Sequence, residues 1–278
     1  MDLLSSTMKL SYDRHGSGEP LVLLHGIGHR WQAWEPVLDR LTEHHDVIAI
    51  DIPGFGNSAP LKLDPGERQA IQVATQHIAA TFRDFGIERP HVAGNSLGGA
   101  LALALAKAGH VASVTALSPA GFWSKRWEVA WALGNLTLTR WTTFAPKPVL
   151  RFVANSPAAR AVAFGMIFGK PRQLDPELAY GDTLALRNAK AFRSIAKGSP
   201  NYRYSGESEV PTTIAWGTKD RILLRRQFSR AHAVVPKARF VDLPGCGHVP
   251  MSDDPELVAR VILETTGAVS SAEVERGR

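Results

Sequence analysis

The chain has 278 residues, 44% of them hydrophobic and 21% charged, a composition that excludes a disordered or fibrous polymer and allows one large folded unit with a substantial core. A single cysteine, Cys246, excludes an internal disulfide framework, and no apolar run reaches the roughly 18–20 residues of a membrane-spanning helix. The net charge of +6 suits a polyanion, but no basic run interleaved with aromatics, no zinc-ligand spacing and no RNA-binding signature accompanies it, so nucleic-acid binding is not expected.

The first residues, MDLLSSTMKLSYDRHG, lack the basic start, long apolar middle and small-residue cleavage site of a signal peptide. Together with the lone cysteine this makes a reducing cytoplasm the expected location. Residues 8–13 alternate like a strand, HGSGEP is turn material, and PLVLL at 20–24 reads as a buried strand, so the two strands are expected to pair as a hairpin. A helical period over 31–41 precedes a second buried strand, DVIAI at 46–50, and then the loop DIPGFGNSAP. Residues 68–85 form an amphipathic helix that Gly86 stops. A strand over 91–94, a helix over 97–108 and a strand over 112–117 follow. Apolar strands alternating with helices predict a parallel sheet covered on both faces.

The alternation stops near Pro119 and returns with VPTTIAW at 210–216, a helix near 224–235, a strand at 238–243 and a helix at 255–265. Residues 122–205 therefore read as a helical insertion. Its tryptophans 123, 127 and 131 share an i, i+4, i+8 stripe, Trp141 lies beyond, and such stripes usually serve burial, so packing is their expected role. The tail from Ala268 is polar and expected to fray.

One pattern carries chemistry. Gly94-Asn95-Ser96-Leu97-Gly98 fits G-x-S-x-G, with a strand before it and a helix after it. A turn that tight strains the serine backbone and needs glycines where backbone approaches backbone; it presents Ser96 Oγ at the carboxyl edge of the sheet, at a helix N-terminus that favours developing negative charge. A serine hydroxyl is a poor nucleophile without a base, and the base needs a carboxylate to hold its tautomer. His248, in LPGCGHVPMSDDP just past the strand at 238–243, is the best placed of the ten histidines; surface or structural duty suits the rest. Asp220, in WGTKDRIL, follows the strand ending at Trp216. Asp51 also follows a strand, but turn-building is its expected duty, and Asp242 lies within a strand pattern.

The segments HGIGHRWQAW, DIPGFGNS, GNSLGG, WGTKD and GCGHVPMSDDP span nearly the whole chain outside the insertion and resemble the α/β-hydrolase superfamily, in its cap-bearing esterase, lipase and haloperoxidase-like branch. The resemblance implies an α/β fold with a mostly parallel sheet and helices on both faces, a core of residues 1–121 and 206–278, and a helical cap, 122–205, inserted after the sixth strand. It also implies Ser96 as nucleophile, Asp220 and His248 as its partners, and an oxyanion hole formed by the backbone amides of Ile27 and Leu97. Ester hydrolysis through an acyl-enzyme, with no cofactor and no metal, is the implied reaction. The serine disfavours branches whose nucleophile is a carboxylate. Val249 stands where carbon–carbon bond hydrolases of the meta-cleavage type usually carry tryptophan, and the elbow differs from the GGSWG of proline iminopeptidases. That carbon–carbon activity, cofactor-free haloperoxidation, carrier-protein methyl ester hydrolysis and a non-catalytic receptor role are the alternatives.

The insertion holds 13 Lys and Arg against 4 Asp and Glu, so the rest of the chain is slightly acidic. The plainest reading is a solvated face; the sharper one is attraction of an anionic substrate, an acyl carrier protein or an acidic lipid surface. Cys246, two residues before His248, reads as a small buried filler unless it faces the pocket.

Overall fold

A computed structural model of the chain describes residues 10–61 and 70–267. The tail from Ala268, two residues at the start of the predicted 68–85 helix and the start of the first predicted strand lie outside the described residues.

Seven strands form one sheet in the order β1-β3-β2-β4-β5-β6-β7, where β1 is Tyr12–His15, β2 Glu19–Leu24, β3 His45–Ile50, β4 His91–Asn95, β5 Ser113–Leu117, β6 Thr212–Gly217 and β7 Arg239–Leu243. All neighbours run parallel except β1 with β3. Every residue of β4, β5 and β6 is buried. Successive side chains point to opposite faces, so both faces are covered. The helices α1 (Glu35–Thr42) and α11 (Pro255–Thr266) pack together, as do α2 (Ala70–Asp84) and α3 (Leu97–Lys107).

The expected hairpin of the first two strands does not form. β1 pairs with β3, Tyr12 opposite Ile50, and both edges of β2 are taken by β3 and β4. The connection steps across the start of β3: Gly16 and Gly18 have φ of +90° and +107°, and a Cβ on Gly16 would collide with the carbonyls of Thr42 and His45. Two Gly-flanked runs look alike in sequence whether the turn closes a hairpin or straddles a third strand.

Between β5 and β6 the chain runs through α4 (Arg126–Thr142), α5 (Lys147–Asn155), α6 (Pro157–Phe164), α7 (Pro176–Asn188) and α8 (Phe192–Gly198). Among the described residues this excursion follows the fifth strand, where a sixth was expected, since a single described strand precedes β2. The expected burial of the tryptophan stripe fails as well. Trp123 is buried but precedes α4, whereas Trp127, Trp131 and Trp141 are 48%, 43% and 75% exposed. The buried side of α4 is instead Val129, Ala132 and Leu136. After β6 come α9 (Arg226–Val234), β7 and a single turn, α10 (Pro250–Asp253), before α11.

Candidate active site

Parallel strands end on one edge, and that edge collects the residues singled out above. Ser96 follows β4, the loop of His25 to Gly28 follows β2, Asp220 follows β6 and His248 follows β7.

Ser96 occupies φ 54°, ψ −110°, a strained region for a residue with a Cβ. The surroundings hold it there: its N–H donates to Leu117 O at 2.9 Å, and its carbonyl accepts from Ala100 and Ala120, each at 3.0 Å. A Cβ on Gly98 would collide with the carbonyls of Leu24 and His25, and one on Gly94 with the Gly98 carbonyl. Glycine is required at both positions because strand ends and helix start touch backbone to backbone.

Asp220 and His248 meet directly, His248 Nδ1 lying 2.9 Å from Asp220 Oδ2 with both side chains almost wholly buried. The other carboxylate oxygen accepts the N–H groups of Ile222 and Leu223, both at 2.9 Å, so the acid is locked by its own loop before it touches the ring. With two backbone donors on one oxygen, the other oxygen accepts a hydrogen bond from Nδ1–H, and this tautomer leaves Nε2 as the basic nitrogen. Ser96 and His248 are 6% and 3% exposed, and no hydrogen bond joins Ser96 Oγ to Nε2 in this structure.

Ile27 lies between Gly26 and Gly28, and Leu97 is the first residue of α3; among the described residues the amide of neither donates a backbone hydrogen bond outside regular elements. A backbone N–H with no internal acceptor is free to receive an oxyanion.

Several supporting residues carried no signal strong enough to find from sequence. His25 accepts the Ile52 N–H at Nε2 (3.0 Å) and therefore donates from Nδ1 to Gly26 O (2.7 Å), pinning the Gly26–Gly28 loop to the chain beyond β3. Burial drives its pKa down to about 3, so the ring stays neutral. Asn95, the variable residue of the elbow, donates to Leu117 O at 3.2 Å and to His248 O at 2.9 Å, tying the Ser96 turn to the histidine loop. Asp253 is buried and accepts from Gly247, Gly169 and Lys170 at 2.7–2.8 Å, while His248 N–H donates to Ile167 O at 2.7 Å. Burial raises the Asp253 carboxyl's pKa, and the three amides oppose that rise. Together these bonds latch the histidine loop to residues 167–170 of the excursion. Asp51 does build its turn: its carboxylate accepts from Trp31 and Asn57 at 2.7 and 2.8 Å.

A cavity of about 220 Å³ opens beside this edge, lined mostly by apolar side chains such as Leu150, Phe168, Leu178 and Leu186, with His29 and Asp182 at its polar end. Asp182 Oδ1 is 3.5 Å from Arg30 Nε, an ion pair looser than a hydrogen bond, and His29 Nδ1 is buried without a partner. Burial lowers the pKa of His29 and raises that of Asp182. Among the described residues no group of three or more His, Cys, Asp or Glu side chains is placed to hold a metal ion, and no helix is long and apolar enough to cross a membrane.

A family model described as the alpha/beta hydrolase family matches residues 21–261. Lipase 1 of Psychrobacter immobilis is 29% identical over 259 residues, covering 89% of this chain and 77% of that lipase. Among solved structures, a bacterial membrane phospholipase A is 25% identical with a TM-score of 0.69, covering 94% of this chain and 83% of that one. A variant of the meta-cleavage product hydrolase from Pseudomonas fluorescens IP01 is 19% identical with a TM-score of 0.70, covering 93% of this chain and 94% of that one, a likeness of fold alone.

Proposed function

The chain belongs to the alpha/beta hydrolase family, and on that premise we propose that it is a serine esterase cleaving carboxylic esters of apolar acyl groups. The observation that carries this reading is the buried Asp220–His248 pair at the sheet edge where the strained Ser96 stands. In the proposed cycle His248 Nε2 removes the Ser96 Oγ proton as Oγ forms a bond to the ester carbonyl carbon. The carbonyl electron pair moves to oxygen, where the Ile27 and Leu97 amides hold the charge. Collapse breaks the bond to the alcohol oxygen, which takes the proton from His248; water then repeats the sequence and frees the acid. Asp220 keeps Nδ1 protonated and stabilises the imidazolium without accepting the proton itself.

Residues 122–205 act in this proposal as a cap over a core of 1–121 and 206–278, and the cavity takes the acyl chain. An apolar cavity of about 150 Å³ accepts benzene, so 220 Å³ has room for a chain of roughly seven or eight carbons. Support for an acyl ester over the carbon–carbon alternative comes from the lipase relative and from Val249, a small buried side chain after the histidine. With its one cysteine reduced, the cytoplasm is the proposed location.

Turnover of p-nitrophenyl butyrate tests the reading, together with labelling by a fluorophosphonate probe. Labelling at Ser96, and loss of both signals in Ser96→Ala, is the expected result. Turnover that survives the substitution overturns it.

A further inference from the structure

Among the described residues, every exposed large hydrophobic side chain except Tyr12 lies between Trp127 and Val162. On α4 Trp127, Trp131, Leu138 and Trp141 fall at i, i+4, i+11 and i+14, a stripe on the side opposite the buried Val129, Ala132 and Leu136. Leu138 and Trp141 are 67% and 75% exposed, and the stripe runs on through Phe144 into Val149 and Phe152 of α5, the last 66% exposed. A soluble surface rarely gathers apolar side chains this way unless something covers them.

Charge identifies what. From 125 to 174 there are eight Lys and Arg and one acid, Glu128. Glu128 is buried and taken by Arg230 at 2.6 Å, so α4 and α5 themselves show no acid to solvent. Arg151 is neutralised by Glu177 at 2.6 Å, but Lys125, Arg126, Lys147 and Arg172 are exposed and have no acidic partner among the described residues. A second copy of the same face would set like charges together, which disfavours self-association. An anionic bilayer satisfies both features at once, since aromatic and aliphatic side chains sink among the headgroups while basic ones meet lipid phosphates.

We propose that the outer face of α4 and α5 docks onto an anionic phospholipid surface. The inner sides of the same helices, through Thr139, Leu150 and Val153, line the acyl-chain cavity, so a chain leaving the bilayer reaches the cavity along two helices. That consequence rests on the esterase reading, whereas the docking does not.

Co-sedimentation of the full chain with vesicles of phosphatidylcholine alone, or mixed with phosphatidylglycerol, tests the proposal. Binding should require phosphatidylglycerol and weaken at high salt. The pair Trp141→Ser and Phe152→Ser should lower partitioning by roughly tenfold or more, as should Arg126→Glu with Lys147→Glu, while p-nitrophenyl butyrate turnover stays unchanged. Absent binding, binding indifferent to lipid charge, or binding unchanged in either double variant overturns it. So does a Trp141-dependent dimer by light scattering, or a salt-sensitive complex with an acidic carrier protein, in place of vesicle binding. Loss of esterase activity in Ser96→Ala with vesicle binding intact separates this result from the catalytic one.

Discussion

Asp220 is held by two backbone amides on one oxygen and by His248 on the other, so its orientation does not depend on the ring it serves. Replacing it by asparagine keeps the shape and removes the charge that sets the tautomer. Asp220→Asn should therefore cost on the order of 10³–10⁴ in kcat on p-nitrophenyl butyrate, with Tm moving far less than activity. His25 offers a pH test of a different kind. Its folded pKa, about 3, lies below the ordinary value near 6.5, so between those limits the unfolded chain binds the extra proton and stability falls as pH drops. Denaturant titrations at several pH values should show His25→Gln losing stability less steeply than the parent from pH 6.5 down toward 3. Cys246 is fully buried, and burial pushes its thiol up to about 12, so the filler reading holds: iodoacetamide at neutral pH should leave both the thiol and the turnover rate untouched.

At the level of elements, the elbow around Ser96 was the most legible part of the chain, because its geometry demands glycine and glycine is visible in sequence. Gly98→Ala should cost several kcal/mol or prevent folding, as the methyl group meets the carbonyls of Leu24, the last residue of β2, and of His25 just after it, which cannot both retreat. The latch of Asp253 was not legible, since nothing in SDDP distinguishes an aspartate that caps a helix from one that bridges two loops. Asp253→Ala leaves three amides without an acceptor; a loss of roughly 2–4 kcal/mol in chemical denaturation, with a lower kcat from a loosened His248 loop, is the expected outcome. The tryptophan stripe shows the opposite limit: helical spacing places side chains on one face, but whether that face meets the core or solvent depends on the helix's rotation, which spacing leaves open.

At the scale of the whole molecule, the cavity sits where the excursion between β5 and β6 meets the core, with His29 from the core and Leu178, Asp182 and Leu186 from α7. Filling it should therefore alter which ester is preferred more than how fast a short one turns over. Leu178→Trp is expected to lower kcat/KM for p-nitrophenyl octanoate at least about tenfold while sparing the acetate, and equal losses on both esters would show that the acyl chain lies elsewhere.

Residue order alone determined the alternation of strands and helices, the elbow around Ser96 and the positions of Asp220 and His248 after later strands, because these follow from short-range pattern and from the rule that parallel strands share a carboxyl edge. Only the tertiary structure decided that β1 pairs with β3, that the Asp220–His248 pair is in contact, that Asp253 ties two loops together and that Trp141 faces out. Each of these depends on distances between segments far apart in the chain, set by how twisted strands and packed helices close on one another.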